Sequence, residues 1–154
     1  APAEHTLPNG LRVIVARRPG VQLVTAQLLL LSGAETDPVR RAGRAAITAE
    51  MLTKGTRRHS ASALASAAEA LGGSLDSGAG WNRATVSITV SAPMIDAALG
   101  LVSETVLQPT FAQAELDRLL KGQDATLRAH AMIDLTVISV LLDAGAGLTV
   151  AAGN

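Results

Sequence analysis

Residues 84–91 alternate strictly, with Val86, Ile88 and Val90 in the apolar positions and Thr85, Ser87, Thr89 and Ser91 in the polar ones. This is the period-two pattern of a strand with one buried face. Residues 60–73 follow a different period. Leu64, Ala67, Ala68 and Leu71 fall at i, i+3, i+4 and i+7, with Ser60 placed to cap the start and Gly72-Gly73 to stop the end, so a helix is predicted. Earlier in the chain, Leu11-Arg12-Val13-Ile14-Val15 is a β-branched run between the turns Leu7-Pro8-Asn9-Gly10 and Arg17-Arg18-Pro19-Gly20. Residues 21–32 are apolar enough for a buried strand, and the Pro-Gly turn between the two runs predicts a hairpin. Asp37-Pro38 opens a helix predicted to reach Thr53, with Asp37 as cap and Pro38 in the first turn, closed by Lys54-Gly55-Thr56.

A short strand over 74–77 precedes the alternating one, with Gly78-Ala79-Gly80 between them. Pro93 starts a helix through Val106 that carries Met94, Ala98, Leu101 and Val102 on one face. Pro109 ends it, and Phe111 leads into a last long helix with Leu116, Leu119, Leu120 and Leu127. The predicted order is β-β-α-α-β-β-α-α. Paired strands followed by paired helices give an α+β fold, a two-layer sandwich with helices on one face of a mostly antiparallel sheet. Residues 131–154 leave an edge strand, a helix and a frayed end all open, because 135–142 is apolar and 144–154 is small and Gly-rich.

Composition narrows the function. The 154 residues, with no linker-like stretch, read as one domain over 1–154. Thirteen Lys+Arg balance thirteen Asp+Glu, so no broad field attracts phosphate backbones and a dedicated nucleic-acid binder is not expected. The longest charge-free stretch, residues 19–34, contains Gln22, Thr25, Gln27 and Ser32 and is too short and polar for a membrane span. With no cysteine there is neither a disulfide framework nor a thiolate metal site. The opening Ala1-Pro2-Ala3 has the small residues left after removal of a leader, which slightly favours a periplasmic or otherwise exported location; a trimmed chain would look the same.

Several segments resemble, in order and spacing, the pitrilysin/insulinase family of zinc metallopeptidases, which includes the mitochondrial processing peptidase. Leu7-Pro8-Asn9-Gly10-Leu11-Arg12-Val13 is similar to its opening strand, and Ser32-Gly33-Ala34-Glu35 to the end of its second. The stretch from Gly43 to Met51-Leu52-Thr53-Lys54-Gly55-Thr56 resembles its motif helix. Leu71-Gly72-Gly73-Ser74-Leu75 and Leu107-Gln108-Pro109-Thr110-Phe111 with Glu115-Leu116 resemble later turns. The resemblance covers about residues 6–128, part of one of the two similar domains that a full family subunit has.

The family's motif is H-x-x-E-H on a helix, two histidines binding zinc and the glutamate activating the metal-bound water. Those positions here read Ala46, Ala49 and Glu50, and the third ligand, a Glu in the family, falls at Thr126. The nearest acid, Asp124, lies about 200° away around a helix. What the resemblance implies is therefore a non-catalytic member without zinc. It would pair with an active zinc metallopeptidase subunit or second domain, and would help enclose or bind peptide substrate. Leu75, Asp76 and Ser77 match the start of the strand that pairs with substrate backbone in active members, although the family usually has Asn-Ala at 76 and 77. Two alternatives stand beside this one: a purely structural scaffold, and a zinc-dependent endopeptidase with other ligands, in which Glu50, Asp76 and Asp124 would converge with a histidine.

The remaining chemistry-bearing residues carry plainer readings. His5, His59 and His130 are too scattered for a shared metal site and read as solvated surface histidines. No phosphate loop and no nucleophile elbow occurs. Arg40-Arg41 with Arg44, and Arg57-Arg58 with His59, flank the motif helix; they read as a solvated rim or as a hold for an acidic partner. Trp81 is either a partner anchor or a core plug.

Overall fold

The computed structural model describes residues 2–122 and 146–153. Six strands, β1 (Ala3–Thr6), β2 (Arg12–Arg18), β3 (Leu23–Leu30), β4 (Leu75–Ala79), β5 (Ala84–Ser91) and β6 (Ala146–Gly153), form one sheet in the order β1-β2-β6-β3-β5-β4. Only β2 and β6 are parallel neighbours; the other pairs are antiparallel. The helices are α1 (Arg44–Met51), α2 (Ala61–Ala70), α3 (Ile95–Leu107) and α4 (Gln113–Gly122). The α+β sandwich expected from the sequence is thus present, with the predicted series framed by one additional strand at each end.

The sheet follows from the alternation. Val24, Ala26, Leu28 and Leu30 of β3 and Ala84, Val86, Ile88 and Val90 of β5 are all buried, and in register Ala26 faces Ile88 and Leu28 faces Val86. They meet Ala49 of α1 and Leu52 just after it, Leu64 and Ala68 of α2, and Ala98, Leu101, Val102 and Val106 of α3. Each fully buried Val, Leu or Ile contributes about 1.5–3 kcal/mol, so this face dominates the core. On the opposite face the Thr25 and Thr89 hydroxyls lie 2.8 Å apart, and the apolar Leu23 is exposed there. A smaller cluster of Ile47, Met51 and Leu116 joins α4 to the outer side of α1. Phe111 packs against both clusters and takes φ 47° to do so.

Three expectations are corrected. β2 and β3 do not form a hairpin: β6 lies between them, paired in parallel with β2 from Val13–Leu148 to Arg18–Gly153 and antiparallel with β3. The hairpin is β1–β2, closed by Leu7-Pro8-Asn9-Gly10, where Leu7 N–H donates to the Leu11 carbonyl at 2.8 Å. Of the readings left open for 131–154, residues 146–153 are a strand, and an interior one rather than an edge; residues 131–145 lie outside the described residues, as do Asp124, Thr126, Leu127 and His130. The helix expected from Pro38 starts only at Arg44, after a 3-10 turn over Val39–Arg41, because Gly43 takes φ 93° and breaks the helical path.

Two glycines are fixed by close approach. A Cβ on Gly33 would lie 2.5 Å from the Gly80 carbonyl oxygen, and one on Gly73 would lie 2.3 Å from that of Thr89. Both contacts press neighbouring chain onto the β4–β5 hairpin, and no side chain fits there.

Candidate functional site

α1 presents two faces. Ile47, Thr48, Ala49 and Met51 are buried, whereas Ala46 is exposed and Glu50 half-buried, as their i, i+4 spacing requires. Glu50 borders an open cleft of about 580 Å³, together with Thr53 and Lys54 after α1, Ala61, Ser62 and Ala65 of α2, Leu75 of β4, and Glu115, Arg118 and Leu119 of α4. The cleft is apolar on the α2 and β4 side and charged on the α4 side, where Arg118 donates to Glu115 at 2.9 Å.

The three residues matched to the family's substrate-pairing strand separate by pleat. Leu75 lines the cleft. Ser77, two residues on and so on the same face, has its hydroxyl 3.3 Å from that of Thr53. Asp76 is exposed, accepts from the Ser74 hydroxyl at 3.0 Å, and does not border the cleft. β4 is an edge strand whose one neighbour is β5, so among the described residues its outer backbone groups have no strand partner.

The donor set at α1 does not fit zinc. Where two histidines and a glutamate would stand, Ala46 and Ala49 offer methyl groups and Glu50 one carboxylate, against the three protein ligands that a catalytic zinc site takes. Among the described residues no group of three or more His, Cys, Asp or Glu is placed to hold a metal ion. No described helix is long and apolar enough to cross a membrane.

One polar cluster escaped the sequence reading. Glu104 of α3 is buried, accepts from the Thr56 hydroxyl, and lies 2.8 Å from His59 Nδ1. Burial alone would raise its carboxyl; the hydrogen bonds from Thr56 and His59 and the nearby charges of His59 and Arg58 outweigh burial and hold it below the usual carboxylate range. His59 is therefore not a free surface histidine: two-thirds of its side chain is covered and it anchors a turn. Backbone bonds complete that anchor, from Thr56 N–H to the His59 carbonyl (2.8 Å), Arg57 N–H to Gln108 (2.9 Å) and Thr110 N–H to Gly55 (3.1 Å). The sequence did hold a signal: Glu104 lies three residues after Leu101 on the apolar side of α3, and an acid there needs a buried partner. His5 is exposed on β1. Trp81 is 73% exposed at the tip of the β4–β5 turn, which removes the core-plug reading.

At the other end of α1, the half-buried Asp37 has its carboxylate covered and accepts from the backbone N–H of Gly43 and of Ala45, each at 3.1 Å, with Arg44 Nε 3.7 Å away. The expected N-cap position is thus taken by Gly43, and Asp37 serves the helix start instead from seven residues earlier, through a carboxylate that takes the N–H groups of Gly43 and Ala45.

Residues 12–144 match the profile of the insulinase family, peptidase family M16. The chain belongs to this family. No curated protein matches it by sequence. Among solved structures it is similar to a peptidase M16 inactive domain from Pseudomonas fluorescens, at 18% identity and a TM-score of 0.79 over 99% of this chain and 46% of that one. It is also similar to a protease from Helicobacter pylori, at 14% identity and a TM-score of 0.83 over 100% of this chain and 47% of that one. Identities this low establish a shared fold, and the chain spans just under half the length of each relative.

Proposed function

We propose that this chain is a non-catalytic, zinc-free member of the M16 family that pairs with an active family subunit or domain and helps hold peptide substrate. The observation that carries the reading is the composition of α1: the helix lies inside the residues matched to the family, while Ala46 and Ala49 supply no ligand and no base. The similarity to a domain described as inactive supports the same conclusion. Beside that helix, the cleft and the edge strand β4 together offer what an extended peptide needs, an apolar wall at Leu75, Ala61 and Ala65 and a row of backbone groups for β-augmentation.

The test is zinc content and peptidase activity of the purified chain, alone and mixed with an H-x-x-E-H relative encoded in the same genome. The expected result is no bound zinc and no cleavage alone, complex formation with the relative, and a rise in the relative's activity. Stoichiometric zinc with cleavage by this chain alone would overturn the proposal.

A further inference from the structure

We propose that the turn of residues 54–59 forms a carboxylate-binding shelf continuous with the cleft, so that the peptides held along β4 are ones that place a carboxylate beside Arg57 and Arg58. The inference rests on the peptide-holding reading of the cleft and names the class of peptide it selects.

Three observations carry it. A second cavity of about 240 Å³ is lined by Lys54, Arg57, Arg58 and His59, and it shares Lys54, Ala61 and Glu115 with the larger cleft, so the two are contiguous. Glu115, the one acid in its lining, pairs with Arg118 at 2.9 Å, Glu104 beneath the turn is held by Thr56 and His59, and Glu50 borders the larger cleft rather than this cavity. Among the described residues Lys54, Arg57 and Arg58 have no ion-pair partner, which leaves a local excess of positive charge on a chain with no net charge. The N-terminal end of α2, capped by Ser60 at the same cavity, adds partial positive charge of its own.

The third observation is rigidity. The backbone of Thr56 and Arg57 is tied to His59 and Gln108, and that of Gly55 to Thr110, so the two guanidinium groups spring from a fixed base. A planar guanidinium takes a carboxylate in two parallel hydrogen bonds, and a held backbone lowers the ordering cost of forming them. A carboxylate from an Asp or Glu side chain and one from a peptide's own C-terminus meet this chemistry equally.

The experiment titrates the isotope-labelled 154-residue chain with octapeptides of alternating valine and serine and follows its backbone amide resonances. One peptide is capped at both ends and neutral; two capped versions carry aspartate in place of a residue at one end or the other; a fourth keeps a free C-terminal carboxylate. At low ionic strength the acid-bearing peptides are expected to bind about tenfold more tightly than the neutral one, a modest preference because the arginines are exposed. They should shift the amides of Leu75–Ala79 together with those of Arg57 and Arg58, and the preference should shrink as salt rises. The double variant Arg57→Gln, Arg58→Gln, its fold checked by its melting temperature, should lower acid-bearing peptides to the neutral affinity. Which of them wins identifies side chain or terminus as the source. Equal binding of all four at Leu75–Ala79, or a preference that survives in the double variant, overturns the shelf and leaves the peptide-holding reading intact. No binding by any of them overturns both.

Discussion

The two ends of α1 carry similar sequence and opposite electrostatics. At the helix start, Asp37 holds a covered carboxylate that accepts two backbone N–H groups and faces the Arg44 guanidinium at 3.7 Å, with Arg40 and Arg41 between them in sequence. After the helix, Lys54, Arg57, Arg58 and His59 line one cavity; the buried Glu104 is taken up by Thr56 and His59, and among the described residues the other three cations close no ion pair. One basic cluster is therefore partly neutralised by a residue that builds the helix. The other is held in place by a buried acid and keeps its charge facing a cavity. A run of arginines in a sequence does not say which of these it is; the position of the nearest buried carboxylate does.

The largest effect should come from removing the acid at the first end. Asp37→Ala strips the carboxylate from the Gly43 and Ala45 N–H groups and removes the counter-charge beside Arg44, whose side chain is 15% exposed. A loss of about 2–4 kcal/mol is expected from the combined cap and charge terms, measured as the shift in urea midpoint. A loss near zero would mean that α1 is held by its packing on the sheet alone.

Glu104→Gln comes next, at about 1–3 kcal/mol, because the amide keeps the shape but not the charge that Thr56 and His59 hold. It also carries a pH signature. The carboxyl titrates lower in the folded chain than in the unfolded one, so the unfolded state binds the proton first. The stabilisation is complete above the unfolded value of about 4.3 and is lost as pH falls through the folded value. Melting temperatures followed downward from about pH 5 should show this loss in the native chain and a weaker one in Glu104→Gln. Equal slopes would assign the acid sensitivity to other carboxylates.

The contrast between the two acids also explains what could be read from the chain. Asp37 was legible because a short-range rule, an acid before a helix, names its job; Gly43 with its φ of 93° then moved the helix start further on. The β5 alternation and the Ser60 cap, whose hydroxyl accepts from Ala63 N–H at 3.2 Å, are equally local and came out as read, whereas the alternation of β3, read as an unbroken apolar run, showed only in the structure. Glu104 was not legible, since its partners lie 45 and 48 positions away. The β2–β3 hairpin failed for the same kind of reason: a strand from residues 146–153 enters between two neighbours in sequence, and no local pattern announces it. Of Leu75, Asp76 and Ser77, which family likeness pointed to, only Leu75 lines the cleft, whereas the arginine turn beside it needed the buried acid to be seen first.

Gly55 sharpens the comparison at the second end. It takes φ 129°, and a Cβ there would lie 3.2 Å from the Thr110 hydroxyl, so Gly55→Ala is expected to cost about 1–2 kcal/mol in backbone strain. The Thr110–Gly55 backbone bond should loosen with it, read as faster amide exchange at Thr110. Unchanged exchange would mean that Glu104 and His59 hold the turn without this glycine.

The smallest effect is the most discriminating. Arg57→Gln and Arg58→Gln remove charges that close no ion pair among the described residues, so stability should change by no more than about 0.5 kcal/mol, with Arg58 the more costly because its charge helps hold Glu104 ionised. Arg44→Gln removes a largely covered guanidinium facing Asp37 and should cost more than either. If the three substitutions were equal in urea midpoint, the two ends of α1 would be alike after all.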